Sequence, residues 1–107
     1  MIQKNPKGLL ANKGDEVVIH YTGYMEDGSV FDSSWKTGQP KRFKTYNMQV
    51  IKGVDEAVRT LREGEKARFF IPSKMAYRGV GLEGVIPPNT NLIFDIEVLK
   101  VIKINPE

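Results

Sequence analysis

The chain lacks cysteine and has one histidine and one tryptophan among its 107 residues. The absence of cysteine excludes disulfides, thiol nucleophiles and cysteine-ligated metal sites. A Ser-His-Asp triad has His20 as its only candidate base, and we expect His20 to be a packed or hydrogen-bonded strand residue instead. No glycine-rich segment leads into the Lys-Ser/Thr pair of a phosphate-binding loop. The sequence therefore supplies none of the groups for hydrolysis, redox chemistry or phosphoryl transfer, and it predicts no metal and no cofactor.

Long apolar runs and a strong charge excess are also absent. No segment is apolar for the roughly 20 residues of a membrane span, and the N-terminal segment is too polar for a signal peptide. The chain as it stands predicts a cytoplasmic protein, whereas a removed leader would make the cell envelope or periplasm its compartment. The net charge is only +3 and the basic residues are dispersed, so neither nucleic-acid binding nor membrane binding is expected.

The length and composition are typical of one soluble domain. A chain of 107 residues, 40% of them apolar, buries roughly two thirds of its unfolded surface and folds without disulfides. We interpret residues 1–107 as a single domain, with residues 1–7 as a flexible arm and residues 8–102 as the domain proper.

The periodicity of apolar residues predicts strands around one helix. Alternation over residues 16–25 and 66–71 is typical of half-buried strands, and residues 91–104 read as a long central strand. Apolar residues at i, i+3, i+4 and i+7 predict a helix over residues 52–61, ended by Gly64. The expected fold class is α+β, with a curved, mostly antiparallel β-sheet wrapped around one short α-helix.

The most informative segment is residues 20–34. An Asp-Gly pair at 27–28 between β-forming residues predicts a tight hairpin, because glycine readily adopts positive φ. The hairpin brings the carboxylate of Asp32 beside Tyr21 and Phe31. A carboxylate among aromatic rings needs a hydrogen-bond donor or shifts its pKa, so Asp32 is a candidate site residue. The alternative is an ordinary hairpin in which Asp32 caps a turn.

Two segments show little periodicity. Residues 35–49 are interpreted as a loop or a bulged edge strand, and Trp35 within them is either a packing anchor or a binding residue. Residues 73–91 form a longer loop that contains Tyr77 and Ile86. Loops longer than about 12–15 residues in compact domains are usually functional or disordered. The apolar residues of this loop indicate that it packs against the domain.

Several sequence blocks occur together in the order and spacing of a known family. They include His-Tyr-Thr-Gly at 20–23, Phe-Asp-Ser-Ser at 31–34, Ile-Pro-Pro at 86–88 and Phe-Asp-Ile-Glu at 94–97. Over residues 8–102 the chain thereby resembles the FKBP family of peptidyl-prolyl cis–trans isomerases. The resemblance implies a curved antiparallel sheet on a short helix, with an apolar pocket between them.

The resemblance also implies an activity and the residues that carry it. The activity is isomerisation of Xaa-Pro bonds in proline-containing peptides and unfolded proteins, which makes and breaks no covalent bond. The implied catalytic residues are Tyr21, Asp32 and Tyr77. The implied walls of the prolyl-ring pocket are Phe31, Phe43, Val50, Ile51, Val54, Ile86 and Phe94. The backbone N–H of Ile51 and the hydroxyl of Tyr77 are the implied donors to substrate carbonyls.

The sequence departs from the family pattern at three positions. Lys41 replaces a wall aromatic residue, Val54 replaces the tryptophan that commonly forms the pocket floor, and Arg78 replaces a glycine after the loop tyrosine. Loss of an indole removes on the order of 100 Å² of apolar contact from the seat of a prolyl ring. We therefore expect a wider pocket, lower activity, and weaker binding of the macrolides tacrolimus and rapamycin.

A second function fits the same residues. A non-catalytic proline-peptide-binding or chaperone-like module of the same ancestry is indicated by Lys41 and Val54, whereas Asp32, Tyr77 and Phe94 favour the enzyme. Because no chaperone insertion replaces the loop at residues 73–91, we expect a single domain and a monomer.

Overall fold

The computed structural model describes residues 4–104, which form a five-stranded sheet and one short α-helix. The elements are β1 (Glu16–Met25), β2 (Val30–Ser33), β3 (Lys41–Lys44), α1 (Lys52–Val58), β4 (Lys66–Ile71) and β5 (Leu92–Ile102). The strand order is β2-β1-β5-β4, every pairing is antiparallel, and β3 pairs with the first half of β1. The predicted α+β fold is confirmed. Within the described residues, no helix has the length and apolar character that a membrane crossing needs.

The centre of the sheet is the long pairing of β1 with β5. The predicted bounds of β1 and β4 are confirmed, while β5 begins and ends slightly inside its predicted range. The register of β1 shifts against β5 between Val18 and Ile19, and against β2 between Gly23 and Tyr24. Such irregularities increase the local twist. They therefore contribute to the curvature that lets the sheet pack around α1.

The core lies between the inner face of the sheet and α1. Val17 and Ile19 of β1 and Ile96 of β5 are at most 1% exposed, as expected for alternate residues on one face of a strand. The helix contributes the fully buried Val58, together with Ala57. Burying an aliphatic side chain of this size stabilises the fold by about 1.5–3 kcal/mol. This contact fixes the distance between α1 and the sheet.

The α-helix ends earlier than its sequence predicts. It stops at Val58, because the next N–H groups donate to carbonyls three residues back: Thr60 bonds Ala57 at 3.0 Å and Leu61 bonds Val58 at 3.3 Å. Leu61 stays buried, so the predicted apolar face is present although the last turn is tighter. The prediction that Gly64 ends the helix is wrong. With φ of +91°, Gly64 instead lies in the turn that leads into β4.

The start of the described chain is attached to this same turn. Asn5 donates its backbone N–H to Glu65 Oε2 at 2.9 Å and its side-chain amide to the carbonyl of Glu63 at 2.7 Å. These bonds hold part of the predicted arm against the domain. Residues 1–3 of that arm lie outside the described residues.

The loop between β4 and β5 is ordered by its own backbone. After a 3₁₀ turn (Ser73–Met75), Leu82 and Ile86 exchange two backbone hydrogen bonds of 2.7 Å each. The N–H of Asn89 donates to the carbonyl of Arg78 at 2.7 Å. The loop thus folds back on itself. In the other segment of low periodicity, residues 35–49, strand β3 confirms the predicted edge strand.

Candidate functional site

A cleft of about 200 Å³ opens between the start of α1 and the inner face of the sheet. It is bordered by four strands, by α1 and by the β4–β5 loop. Its lining includes seven of the ten predicted site residues: Tyr21, Asp32, Val50, Ile51, Val54, Tyr77 and Phe94. Ligand clefts that bury drug-sized molecules measure roughly 300–1,000 Å³. This smaller cleft suits a single ring.

Tyr21 and Asp32 form a hydrogen-bonded pair on the rim of the cleft. The register of β1 and β2 sets Asp32 opposite Gly23, two residues from Tyr21, so both side chains lie on one face. The Tyr21 hydroxyl donates to Asp32 Oδ2 at 2.8 Å. Burial, and then the bond to Asp32, raise the pKa of Tyr21 above its ordinary value. Tyr21 therefore stays protonated at neutral pH and keeps the exposed carboxylate in place.

Two hydrogen-bond donors in the lining have no acceptor among the residues that the structure describes. Within residues 4–104, neither the hydroxyl of Tyr77 nor the backbone N–H of Ile51 donates to a protein group. Burial, and then the charge of Asp32, raise the pKa of Tyr77, so its hydroxyl also stays protonated at neutral pH. Ile51 lies directly before α1 in extended backbone, and its carbonyl accepts the N–H groups of Val54 and Asp55. Both donors are half-buried and available to a ligand.

The apolar walls of the cleft are rigidly packed. Val54 and Phe94 are each 5% exposed, and the ring of Phe31 meets that of Phe94 edge-on with a centroid distance of 5.6 Å. Gly23 makes this contact possible, because a Cβ there would lie 2.6 Å from Phe31 Cζ and 3.1 Å from Phe94 Cε2. The alternation of β1 predicts that Gly23 lies on the inner face, but it predicts no function for this glycine. The structure shows that Gly23 leaves room for the two rings.

Three predicted pocket residues, Phe31, Phe43 and Ile86, are not part of the lining of the cleft. Phe31 supports Phe94 from the side, and Ile86 is 3% exposed within the β4–β5 loop. Phe43 is also 3% exposed, because its position on β3 opposite Val17 turns it into the core. Direct contact of these three side chains with a prolyl ring stays a prediction.

The lining also contains residues to which the sequence assigns no binding role. Ile19 lies two residues before Tyr21 on the inner face of β1, a period-two signal that could have found it. Gln49 precedes α1, and its Oε1 accepts the N–H of Lys44 at 2.9 Å. No sequence pattern indicates Gln49. Lys41, noted as a departure from the family pattern, is exposed and also contributes to the lining.

The outer face of the sheet holds the single histidine. His20 Nδ1 lies 2.8 Å from Ser34 Oγ, and its ring stacks on Trp35 with centroids 3.6 Å apart and an interplanar angle of 14°. The prediction of a packed, hydrogen-bonded histidine is confirmed. Trp35 packs on this ring, remains 57% exposed, and takes no part in the cleft.

The same fold and sequence blocks occur in known proteins. The chain matches the family of FKBP-type peptidyl-prolyl cis-trans isomerases over residues 8–99. A FK506-binding protein from Neisseria meningitidis serogroup C is 49% identical over 94 residues, covering 88% of this chain and 86% of that protein. The crystal structure of FkpA from Escherichia coli superposes on this chain with a TM-score of 0.87 and 35% sequence identity, covering 98% of this chain. The chain spans about half of FkpA, 48% of its length.

A second solved structure bears the name of an enzyme. The peptidyl-prolyl cis-trans isomerase from Pseudomonas syringae pv. tomato superposes with a TM-score of 0.84 and 32% identity, covering 96% of this chain and 74% of that one. The fold and these likenesses together identify the class of protein as an isomerase of prolyl peptide bonds. The chain belongs to the family of FKBP-type peptidyl-prolyl cis-trans isomerases.

Proposed function

We propose that the 200 Å³ cleft is the active site and that it isomerises the bond before a proline whose ring it encloses. One observation carries this proposal. The Tyr21–Asp32 pair and two donors that have no acceptor within residues 4–104 all line the same apolar cleft. The proposed clients are proline-containing segments of peptides and unfolded proteins. The names of the relatives support this choice of substrate class.

The reaction needs no nucleophile and no cofactor. Rotation about an Xaa-Pro bond meets a barrier of about 20 kcal/mol, because amide resonance is lost in the twisted state. An apolar environment disfavours the charge-separated planar amide relative to the twisted one. Each tenfold acceleration requires about 1.4 kcal/mol of preferential stabilisation of the twisted state.

The side chains of the cleft divide this work. Val54 and Phe94 form the dry wall against the prolyl ring. The Ile51 N–H and the Tyr77 hydroxyl donate to carbonyls on either side of the bond and hold the chain while the amide turns. Asp32, held by Tyr21, presents its charge to the rotating amide carbonyl. Such fixed groups stabilise a charge distribution without reorganising during the reaction.

We expect Asp32→Ala to lower kcat/KM on a Leu-Pro peptide about fivefold, because an exposed charge interaction contributes up to about 1 kcal/mol and each tenfold in rate requires about 1.4 kcal/mol. Tyr21→Phe should produce part of this loss, because it frees the carboxylate but keeps its charge. Glu26→Ala is the matched control, since Glu26 is an exposed carboxylate on the same hairpin outside the cleft. Rates are measured by NMR exchange spectroscopy. Equal rates for Asp32→Ala, Glu26→Ala and the unaltered protein would refute the site assignment.

A non-catalytic peptide-binding module is the second candidate, favoured by the lysine and valine in the lining. The same NMR experiment separates the two functions. Chemical-shift changes in the peptide without faster cis–trans exchange indicate a module. Faster exchange at catalytic protein concentration indicates the enzyme.

The relatives' names also suggest a macrolide ligand, and we propose that the cleft binds tacrolimus, the compound also called FK506, weakly. Val54 offers a smaller floor than an indole, and Lys41 places a charge in the lining. Val54→Trp should therefore raise tacrolimus affinity by about tenfold, since roughly 100 Å² of added apolar contact is only partly realised at a buried position. Isothermal titration of both proteins provides the measurement. Val54→Leu is the control for volume alone, and a gain equal to that of tryptophan would contradict the indole argument.

A further inference from the structure

A second and larger cleft adjoins the proposed active site. It measures about 740 Å³, shares Val50 and Ile51 with the smaller cleft, and continues past the start of α1 to Ala76, the neighbour of Tyr77. A peptide bound with its proline in the small cleft therefore has a continuous path for its flanking residues. The exposed side chain of Met48 lies on the rim of this path.

The lining of this larger cleft carries an excess of positive charge. Its charged residues are Lys52, Asp55, Glu56, Arg59, Lys74 and Arg78. Arg59 is already engaged, because its Nε lies 3.2 Å from Asp55 Oδ1 and its guanidinium stacks 3.9 Å from the centroid of the Tyr46 ring. The lining therefore has three other cations and only one other carboxylate, that of Glu56.

These three cations form a basic cluster, defined as Lys52, Lys74 and Arg78. All three are exposed, and none forms an ion pair with a carboxylate within residues 4–104. They also border a further depression of about 530 Å³ next to the loop. The basic cluster thus lines both this depression and the larger cleft, and the larger cleft adjoins the proposed active site.

Arg78, one residue of the basic cluster, has a strained backbone conformation. Its φ is +54°, a left-handed conformation that is strained for a residue with a Cβ and free of strain for the glycine that the family resemblance places there. Its N–H donates to the carbonyl of Ser73 at 2.8 Å, and its guanidinium Nε donates to the carbonyl of Lys74 at 3.1 Å. These bonds fix the charge of Arg78 beside Lys74.

We infer that the basic cluster selects substrates whose proline is flanked by acidic residues. The inference rests on the proposed function of the small cleft and names the substrate class of that same site. Acidic side chains two to four residues from the proline lie within reach of cations that have no carboxylate partner among the described residues. Opposite charges at such exposed sites interact modestly, and salt screens them.

The test compares three peptides that share the centre Ala-Leu-Pro-Phe and carry Glu-Glu, Gln-Gln or Lys-Lys pairs on both sides. We expect kcat/KM for the Glu peptide to exceed that for the Gln peptide by about fivefold at low salt, with the Lys peptide slower still. In 0.5 M NaCl the three values should converge. Equal values at low salt would overturn the inference. Failure to isomerise even the Gln peptide would instead contradict the proposed function, so the two failures are distinguishable.

Variants then assign the preference to the cluster. The triple change Lys52→Gln, Lys74→Gln and Arg78→Gln should lower kcat/KM for the Glu peptide to the value for the Gln peptide. Lys100→Gln is the matched control, because Lys100 is an exposed cation of β5 outside all three clefts. A preference that survives the triple change and disappears in Lys41→Gln would overturn the assignment to the cluster. Thermal unfolding of each variant confirms that the folded protein is compared.

Discussion

Replacing Gly81 by alanine is expected to lower kcat/KM on an Xaa-Pro peptide by roughly 100-fold, the effect of displacing a positioning group by about 1 Å. A Cβ on Gly81 would collide with the carbonyl oxygen of Ile86 and would lie 2.9 Å from the carbonyl carbon of Pro87. Both are backbone atoms, which cannot rotate away as a side chain can. The loop must therefore open to admit the methyl group.

The opening would act on the site through Tyr77. The N–H of Gly81 donates to the carbonyl of Tyr77 at 2.9 Å, and the Ile86 carbonyl that meets the methyl group also accepts the N–H of Leu82 at 2.7 Å. Moving one side of this loop relative to the other breaks the hydrogen bonds that position Tyr77. The Tyr77 hydroxyl, our proposed donor at one end of the rotating amide, would then be misplaced.

Gly84→Ala is the matched control for this prediction. Gly84 lies in the same loop with φ of +77°, but among the described residues no atom beyond its chain neighbours lies within 4 Å of the point that a Cβ would occupy. An alanine at this position would therefore have the left-handed strain of about 1–2 kcal/mol but would not collide with other atoms. We expect its kcat/KM to stay within about twofold of the unaltered value, because a local strain outside the lining moves no positioning group. Similar activities for the two variants would show that loop closure does not position Tyr77.

Much of the fold follows from local sequence signals. The alternation in β1 and β4 predicts one face that packs on the core, and the structure confirms that face: it is mostly buried in β1 and half-buried in β4. The helix is harder to bound, because its apolar spacing continues to Leu61 while its hydrogen bonds change to a 3₁₀ pattern after Val58. A periodicity reports which side chains are buried. It does not report which carbonyl each N–H selects.

The site is less predictable than the fold, for a geometric reason. The pair Tyr21–Asp32 follows from a hairpin of short range, and its residues carry the family resemblance. Phe43 and Ile86 share that resemblance, yet their side chains turn into the core. The contribution of Gln49 depends on a loop that only tertiary contacts define. The basic cluster joins the start of α1 to a later loop, and no local pattern links them.

The other large effect is expected at Asp15, a carboxylate that is only 1% exposed. Its oxygens accept hydrogen bonds from the N–H of Asn12 at 2.9 Å, from Lys103 Nζ at 3.0 Å and from the N–H of Ile104 at 3.2 Å. Its own carbonyl accepts the N–H of Thr45 at 2.9 Å. Asp15 thus ties the segment before β1 to the end of β3 and to the chain after β5.

We expect Asp15→Ala to lower the free energy of unfolding by about 3 kcal/mol, because charged hydrogen bonds are lost and a buried cavity is left. Asp15→Asn keeps the shape and part of the bonding, so its loss should be about half as large. Urea denaturation followed by circular dichroism gives both values. Glu26→Ala, an exposed carboxylate without a comparable network, should not change the midpoint. A loss for Asp15→Ala no greater than that of the control would contradict the role of the network.

The pH dependence of this loss provides a separate check on Asp15. Burial alone raises the pKa of its carboxyl, but the hydrogen bonds from Asn12, Lys103 and Ile104 outweigh burial and hold the pKa below its ordinary value. A carboxyl whose pKa is lower in the folded protein stabilises the fold above its unfolded pKa, and this stabilisation disappears as pH falls through the folded pKa. The difference in unfolding free energy between the unaltered protein and Asp15→Asn should therefore be constant from neutral pH to about pH 5 and shrink below about pH 4. A difference that stays constant into strong acid would show that shape, and not the charge of Asp15, stabilises this junction.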